Sequence, residues 1–465
     1  MEPDLAFAPA VALAGMVRDR VISPVELVDG YLDRIDRIDP HLNSFVTLDA
    51  DRARDAARAA EASAGRPGTP AFHGVPIAIK DLHVTAGLRT TFGSKALADF
   101  VPDFDEESVR RIRAAGFVIL GKTNVPEFGS LPVTEPLLHG PCRNPWDTER
   151  TPGGSSGGAA AALAAGLVPV SQGSDGGGSL RIPASNCGVF GLKPARGRVS
   201  NAPLFGDRLA GLSTTGVLAR HVVDAAALLD VMAGYAPGDP HWAPPPARPF
   251  VKESATDPPP LRVGVVTSFP LAPFQREPLA AVESAAGLLT DLGHHVEPFA
   301  LPVDAGVAEH FKLVWATGIA ALPVDRALLE PFNAGLYDRG GTVSAPRLLQ
   351  AINALQLASR TIVGASLAFD VVVSPTLAEP PLHIGEMRGL DVDATLARAA
   401  AYVGVTPVAN ITGQPSMSLP LGWSVEGLPI GVMVTGRPAG EATLLRLAGQ
   451  VQRAADWSAA RPPGG

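Results

Sequence analysis

Segments with helical and strand patterns alternate along this chain, and that alternation constrains its fold more than any other feature. A helical pattern at 105–115 ends at Gly116 and is followed by the apolar run FVILG. The segment 261–299 contains a strand, a helix and a second strand in succession: LRVGVV, EPLAAVESAAGLLTDLG and HHVEPF. Alternating elements of this kind favour an α/β sheet with helices covering its faces. Two further segments, HGVPIAIKDLHV and FDVVVSPT, also have strand patterns.

The first part of the chain has a helical pattern. Apolar residues recur at helical spacing from Pro24 to Ala60, and Ser23 precedes Pro24 in the position of a helix cap. We expect Gly65 and Pro67 to end this helical region. A proline-rich stretch at 237–260 is interpreted as a surface connection inside one fold.

Composition and charge exclude several classes of protein. Hydrophobic residues make up 46% and charged residues 18% of the chain, which is typical of a globular protein and far from a disordered one. The net charge is -8 and no basic stripe is present. Neither nucleic acid nor an anionic membrane is therefore an expected partner.

Cysteine and histidine are used sparingly. Cys142 and Cys187 form no CxxC or Cys/His cluster and the histidines are scattered, so we expect no disulfide framework and no metal. The chain does not open with a basic segment followed by a long apolar core, and no apolar run is long enough to span a bilayer. The sequence therefore predicts a cytoplasmic protein.

Two short motifs match general patterns but lack the surroundings that those patterns need. GFVILGKT fits the phosphate-loop pattern GxxxxGK[ST], yet its variable positions are the strand-forming residues FVIL. GGSSG fits the nucleophile-elbow pattern GxSxG, yet the preceding DTERTP is a polar turn rather than an apolar strand. We therefore give neither motif its general meaning, although a nucleotide-binding module that uses Lys122 stays an alternative.

Three segments in a fixed order form a more specific combination. Lys80 ends the first apolar strand, GGSSGG follows at 153–158, and SDGGGSLRIPAS follows at 174–185. Together with GKTNVPEF, CGVFGLKPARGRVS and GQPSMSLPLG, these segments resemble the amidase signature family. The similarity extends from the helical start to the C-terminal strand region and is weak at 237–400.

The resemblance implies one large α/β domain over 1–465, with a central mixed twisted sheet covered on both sides by α-helices. We expect this domain to contain a helical N-terminal region (1–65), a catalytic core (66–236), a variable region around the substrate pocket (237–400) and a C-terminal return to the core (401–460). The apolar segments FKLVWATGIAAL and LQAINALQLASR of the variable region either line this pocket or pack in the core.

The resemblance also implies a catalytic triad. In this family a lysine, a serine with a cis peptide bond and a nucleophilic serine act together, and the motifs place these roles on Lys80, Ser155 and Ser179. Whether the cis peptide precedes Ser155 or Ser156 stays open. Asp175 and Arg181 resemble family positions that brace the loop around the nucleophile.

Physical chemistry agrees with these roles. A serine hydroxyl attacks poorly until a base takes its proton, and neither glycine-rich segment contains a histidine. Lysine acts as a base only when neutral, which requires its pKa of about 10.4 to fall through burial. Ser155 would pass the proton from Ser179 to Lys80 and later return it to the leaving amine.

The loop before the nucleophile offers backbone donors. Gly176, Gly177 and Gly178 present N–H groups without bulky side chains and are predicted to form an oxyanion hole for the tetrahedral intermediate. Family members usually carry a larger residue at position 176. Glycine there is expected to widen the pocket or to loosen the hole.

The leading interpretation is an amidohydrolase that cleaves amides, anilides or carbamates through an acyl-enzyme, without a metal or organic cofactor. SDGGGSLRIPAS and GLKPARGR are most similar to the branch of cyclic-dimer hydrolases, aryl acylamidases and urethane-cleaving enzymes, which indicates bulky or synthetic substrates. The alternative is a glutamine-hydrolysing subunit of a tRNA-dependent amidotransferase, although SNAPLFGDRLAGLSTTG departs from that subfamily. We expect a monomer or homodimer that acts on a small molecule.

Overall fold

An eleven-stranded mixed sheet forms the centre of the protein. The computed structural model describes residues 3–64, 66 and 68–463, so Gly65 and Pro67, the expected end of the first helical region, lie outside the described residues. Along the described chain the strands are β1 (Phe45–Leu48), β2 (Pro76–Lys80), β3 (Val118–Thr123), β4 (Val170–Asp175), β5 (Phe190–Lys193), β6 (Thr214–Ala219), β7 (Arg262–Val265), β8 (His295–Pro298), β9 (Val371–Pro375), β10 (Ser416–Trp423) and β11 (Pro429–Gly436).

Helices surround this sheet, and short 3₁₀ turns occur at 95–97, 127–129, 326–328 and 457–459. The α-helices of the described residues are α1 (Pro3–Ala6), α2 (Ala10–Arg18), α3 (Pro24–Leu42), α4 (Ala50–Ser63), α5 (Glu107–Ala114), α6 (Gly157–Ala164), α7 (Arg181–Cys187), α8 (Val222–Met232), α9 (Phe250–Ser254), α10 (Arg276–Asp291), α11 (Gly306–Ala320), α12 (Pro331–Gly341), α13 (Ala345–Ser366), α14 (Val392–Val403), α15 (Pro407–Thr412) and α16 (Glu441–Ala454).

The order and direction of the strands bring distant motifs together. The order across the sheet is β1-β3-β2-β4-β6-β5-β10-β11-β9-β7-β8. Strand β2 lies between β3 and β4 and is parallel to both, with Ala78 opposite Ser171 and Ile79 opposite Gln172. Because parallel strands have their carboxyl ends at the same edge of a sheet, Lys80 lies beside the loop that follows Asp175.

The central strands are buried on both faces. Every residue of β2, β3, β4 and β6 is buried, and helices α6, α7, α8 and α10 pack against the sheet. Strands covered in this way are usually apolar along their whole length, but β4 (VSQGSD) is buried although most of its side chains are polar. The predicted single-domain α/β fold with a helix-covered mixed sheet is confirmed.

The strand-helix-strand prediction for 261–299 is also confirmed. Strands β7 and β8 are parallel neighbours and α10 connects them. Strand β9 lies on the other side of β7, and β11 continues the sheet from β9. The proline-rich stretch at 237–260 forms no strand and contains the short helix α9, and it connects β6 and β7 of the same sheet.

The N-terminal region differs from its predicted all-helical pattern at one point. Helix α3 ends at Leu42, Asn43 adopts a left-handed conformation with φ of 53°, and β1 follows. Strand β1 pairs with β3 in antiparallel fashion, with Phe45 opposite Thr123. The aromatic and β-branched residues of FVTL favour this pairing, which no helical periodicity reveals. The proposed subdivision at 65, 236 and 400 stays a prediction.

None of the helices in the described part of the chain combines the length and the apolar character needed to cross a bilayer.

Helix α3 begins with the cap that the sequence predicts, and this generates a stability prediction. The Ser23 hydroxyl accepts from Glu26 N–H, and the Glu26 carboxylate accepts from Ser23 N–H, which forms a capping box. Ser23→Ala should lower the free energy of unfolding by about 1 kcal/mol, measured from denaturant midpoints. Ser284→Ala, at an exposed position inside α10, is the matched control and should leave stability within about 0.5 kcal/mol. Equal effects of the two substitutions would contradict the capping role.

Candidate active site

Lys80 ends β2 and is fully buried. Its Nζ lies 2.8 Å from Ser155 Oγ and donates to the carbonyl oxygen of Ser174 at 3.1 Å. Lys80 and Ser155 are 75 positions apart in sequence and meet because GGSSGG lies at the edge where β2 ends. The structure therefore brings together two of the three residues that the motifs single out, through their side chains.

The peptide bond between Gly154 and Ser155 is cis. Gly154 has no room for a side chain, since a Cβ there would lie 2.7 Å from Val133 N. The neighbouring hydroxyl, Ser156 Oγ, donates to Ser174 O at 3.2 Å. The lysine amine thus contacts the side chain of Ser155, whereas Ser156 directly precedes helix α6 at its N-cap position.

Ser179 lies in the glycine-rich loop between β4 and α7. Its carbonyl oxygen accepts from Ser156 N–H at 3.1 Å, which joins this loop to the GGSSGG segment. Ser179 keeps 7% of its surface exposed and lines a cavity, whereas Lys80 has no exposed surface. Of the three predicted triad residues, Ser179 is thus the one in contact with the cavity.

A buried ion pair holds the loop in place. Arg181 Nη2 and Nε donate to the Asp175 carboxylate at 2.8 and 3.0 Å, and neither side chain is exposed. The same carboxylate accepts from the N–H groups of Gly178 at 2.7 Å and Leu180 at 3.1 Å. Burial acts to raise the pKa of Asp175, but the Arg181 guanidinium, the charge of Lys193 and the hydrogen bond from Asn410 together outweigh it and hold this pKa below its usual value. Asp175 and Arg181 are thus placed where the sequence predicted bracing residues.

Two residues of the C-terminal part complete this support, and sequence reasoning missed both. Asn410 Nδ2 donates to the Asp175 carboxylate and to its carbonyl oxygen, each at 2.9 Å. Thr406 Oγ1 donates to Gly177 O at 2.8 Å. Neither residue stands in a glycine-rich motif, so no local signal identified them.

The three glycines of the expected oxyanion hole are not equivalent. Gly178 N–H donates to Asp175 Oδ1, so this donor is engaged inside the loop, and its predicted part in the oxyanion hole stays a prediction. The N–H groups of Gly176, Gly177 and Ser179 donate to no partner among the residues that the structure describes. These three groups are the donors of this loop that stay available for an oxyanion.

The electrostatic environment favours a neutral amine at position 80. Complete burial holds the pKa of Lys80 well below its usual value, the Asp175 charge acts in the opposite direction, and Arg208 lowers this pKa further. Arg208 Nη2 donates to Leu82 O at 3.0 Å, two residues beyond Lys80, and lies 3.7 Å from Glu106 Oε1. Arg208 is a further residue that the sequence did not identify.

The cavity next to Ser179 is apolar and encloses about 160 Å³. Helix α11 supplies one wall of it, so the segment FKLVWATGIAAL lines the cavity in part, in agreement with one of its two interpretations. The residues that line the cavity around Ser179 include Leu131, Ile182, Phe269, Phe311, Trp315, Leu396 and Val403. Among the described lining residues Lys312 is the one with a charged side chain.

The nucleotide-loop interpretation does not fit the structure. GFVILGKT forms β3 rather than a glycine-rich loop, and all six strand residues are buried. Lys122 Nζ donates to Thr90 Oγ1 at 2.8 Å and lies 3.6 Å from Asp81 Oδ1. Burial lowers the pKa of Lys122 to about 8. Its amine is therefore engaged in the interior and presents nothing to a phosphate.

No group of three or more His, Cys, Asp or Glu side chains in the described part of the chain is arranged to hold a metal ion.

Comparisons with known proteins agree with this site. The family model described as Amidase matches residues 26–445. The 6-aminohexanoate-cyclic-dimer hydrolase of Paenarthrobacter ureafaciens is 37% identical over 481 residues, covering 97% of this chain and 96% of that protein. A solved structure of 6-aminohexanoate cyclic dimer hydrolase with substrate has a TM-score of 0.93 at 34% identity, covering 98% of this chain and 99% of the other.

More distant structures show the same fold. A bacterial aryl acylamidase of the amidase signature family has a TM-score of 0.89 at 27% identity and covers 97% of both chains. The glutamyl-tRNA(Gln) amidotransferase structure from Thermotoga maritima has a TM-score of 0.79 at 28% identity, over 96% of this chain and 95% of the other. The amidotransferase alternative is therefore a more distant neighbour than the cyclic-dimer hydrolase.

A family model that covers most of the chain, and relatives of this identity along nearly their whole length, establish that this protein belongs to the amidase signature family of hydrolases.

Proposed function

We propose that this protein hydrolyses amide, anilide or carbamate bonds through an acyl-enzyme formed on Ser179, with Ser155 as proton relay and Lys80 as base. The observation that carries this proposal is the buried contact of 2.8 Å between Lys80 Nζ and Ser155 Oγ, beside the loop that presents Ser179 to the cavity. The relation to 6-aminohexanoate-cyclic-dimer hydrolase and aryl acylamidase supports amides as the substrate class.

The proton path runs from the cavity to the interior. Ser179 Oγ attacks the substrate carbonyl carbon as its proton moves to Ser155 Oγ, and the Ser155 proton moves to Lys80 Nζ. The tetrahedral oxyanion is stabilised by the free N–H groups of the loop, those of Gly176 and Gly177 among them. The proton then returns through Ser155 to the leaving nitrogen, the C–N bond breaks, and water hydrolyses the ester on Ser179.

Burial of Lys80 favours the neutral amine that this proton path requires. A fully buried ammonium loses its hydration, so the neutral amine is favoured and can accept a proton near neutral pH. Asp175 opposes this effect, but its negative charge is already paired with Arg181. Arg208 adds a second positive charge near the amine and favours the neutral form.

The cavity supports a bulky or apolar substrate. Its lining is mostly hydrophobic, so binding there removes apolar surface from water and favours substrates that carry hydrocarbon groups. The cytoplasmic location and the monomeric or homodimeric state expected from the sequence stay predictions.

The nucleophile is tested by covalent labelling. An alkyl fluorophosphonate should add to Ser179 of the native enzyme, as seen in the intact mass and in peptide mapping, because this reagent modifies activated serines. Ser179→Ala should abolish both the label and amide hydrolysis. Ser130→Ala removes another serine that lines the cavity and should stay fully labelled. A mass shift that persists in Ser179→Ala would assign the nucleophile elsewhere.

The relay and the base have their own test. Ser155→Ala and Lys80→Met should each reduce the labelling rate constant by about 10² or more, because each interrupts the proton path from Ser179. Circular dichroism and thermal midpoints monitor the fold of both variants. Lys312→Met, which removes the lysine lining the cavity, should keep a rate within a few-fold of the native enzyme. A folded Lys80→Met enzyme with native labelling rates would exclude this lysine as the base.

The pH dependence follows from the charge near the amine. The kcat/KM should rise with pH as Lys80 loses its proton, with a midpoint well below the usual lysine pKa because of burial. Arg208→Met removes a positive charge that disfavours the ammonium, so it raises the pKa of Lys80 and should move the midpoint to higher pH. The measurement is kcat/KM for a substrate that does not itself titrate. A midpoint that moves to lower pH would show that Arg208 acts in some other way.

A further inference from the structure

We propose that Trp315 is a specificity-determining residue that selects amides and carbamates carrying a flat aromatic ring close to the scissile bond. This inference rests on the proposed function and names the substrate class of the same site. Three observations carry it: the stacked pair Phe311 and Trp315, their contact with the loop of the nucleophile, and the aliphatic character of the residues that α14 contributes to the cavity.

The first observation is an aromatic wall on α11, formed by Phe311 and Trp315. These residues are one helical turn apart, so both side chains lie on the same face of α11. Their ring centroids are 5.4 Å apart and the ring planes differ by 25°, which is a stacked pair. Both rings are half-buried and line the same cavity as Ser179.

The second observation is the contact of this aromatic wall with the backbone donors. A Cβ built on Gly176 would lie 3.4 Å from both Cη2 and Cζ3 of Trp315, and one built on Gly177 would lie 3.4 Å from Phe311 Cζ. The rings therefore lie within contact distance of the two glycines whose N–H groups are free. A substrate whose carbonyl binds these donors places its substituents close to the aromatic wall.

This contact bears on the role of glycine at position 176. A Cβ there would already touch the indole of Trp315, so a side chain larger than that of alanine would meet the ring. Gly176 does not have a positive φ, so its backbone accepts any residue and the restriction comes from the indole. A large side chain at position 176 and the indole of Trp315 would thus compete for the same space.

The third observation is the difference between the residues that two helices contribute to the cavity. Helix α14 contributes Leu396, Ala399 and Val403, which are aliphatic, whereas the two stacked rings come from α11. An aromatic substituent gains offset-stacked or edge contacts with rings that a saturated ring of similar size does not gain. The cavity therefore distinguishes flat rings from saturated ones on the α11 side.

The test uses matched substrates in which the ring is not conjugated to the reacting bond. One pair has the ring on the acyl side, as phenylacetamide and cyclohexylacetamide, and the other has it on the amine side, as N-benzylacetamide and N-(cyclohexylmethyl)acetamide. The native enzyme should prefer the aromatic member of at least one pair by roughly 3- to 10-fold in kcat/KM. Trp315→Leu should reduce this ratio to about 1, and Trp315→Phe should keep most of it.

A matched control separates ring selection from general packing. Val403→Ala enlarges the cavity at α14, in a core cluster that does not contain Trp315, and should change kcat/KM for both members of a pair by a similar factor. A ratio near 1 in both pairs for the native enzyme, or a ratio that Trp315→Leu leaves unchanged, overturns the inference. The alkyl fluorophosphonate, which carries no ring, reports on the proposed function separately. Labelling without ring preference refutes the role of Trp315 alone, and the absence of both labelling and turnover refutes the two proposals together.

A double substitution that enlarges the side chain at position 176 and reduces the one at position 315 provides an independent check. Gly176→Leu should reduce kcat/KM by more than about tenfold, because its side chain meets the indole of Trp315. Adding Trp315→Ala should recover part of that loss while the ring preference stays absent, so the two changes are not additive. Full activity of Gly176→Leu with Trp315 in place would contradict the shared volume.

Discussion

The buried ion pair between Asp175 and Arg181 is the interaction on which the site depends. One carboxylate accepts from two loop N–H groups, from the guanidinium and from Asn410. It therefore fixes the end of β4, the glycine-rich loop and the start of α7 relative to α15. Loss of either charge would leave the other buried without its partner, which is strongly unfavourable. The orientation of the free N–H groups and of Ser179 follows from this arrangement.

The site also requires a lysine side chain that is shielded from water, and the sheet provides this shielding. Because β2 and β4 are parallel and adjacent, the residue that ends β2 lies beside the loop that follows β4. Burial of both faces of β2 removes solvent from Lys80 at the same place. The fold thus supplies proximity and desolvation together, and Ser155 completes the contact from the GGSSGG segment.

The sequence predicted those parts of the structure that depend on local patterns of residues. The helix-strand alternation indicated the α/β fold, and the glycine-rich motifs indicated Lys80 and Ser155 as neighbours. Other parts depend on contacts between distant segments, which spacing does not encode. Asn410 reaches Asp175 across 235 positions and Thr406 reaches Gly177 across 229. Strand β1 was missed because its short segment lies between two strong helical patterns. The bond from Gly178 N–H to Asp175 was not foreseen because it is defined only by the folded loop.

The two stacked rings of α11 lie on a helix that follows the proline-rich connection, whereas the amine, the relay hydroxyl and the free donors lie on the sheet edge and its loops. The residues proposed to contact the variable part of a substrate and those proposed to move protons thus lie in separate stretches of the sequence. Replacements in α11 and α14 can alter which molecules fit while the reacting atoms stay in place.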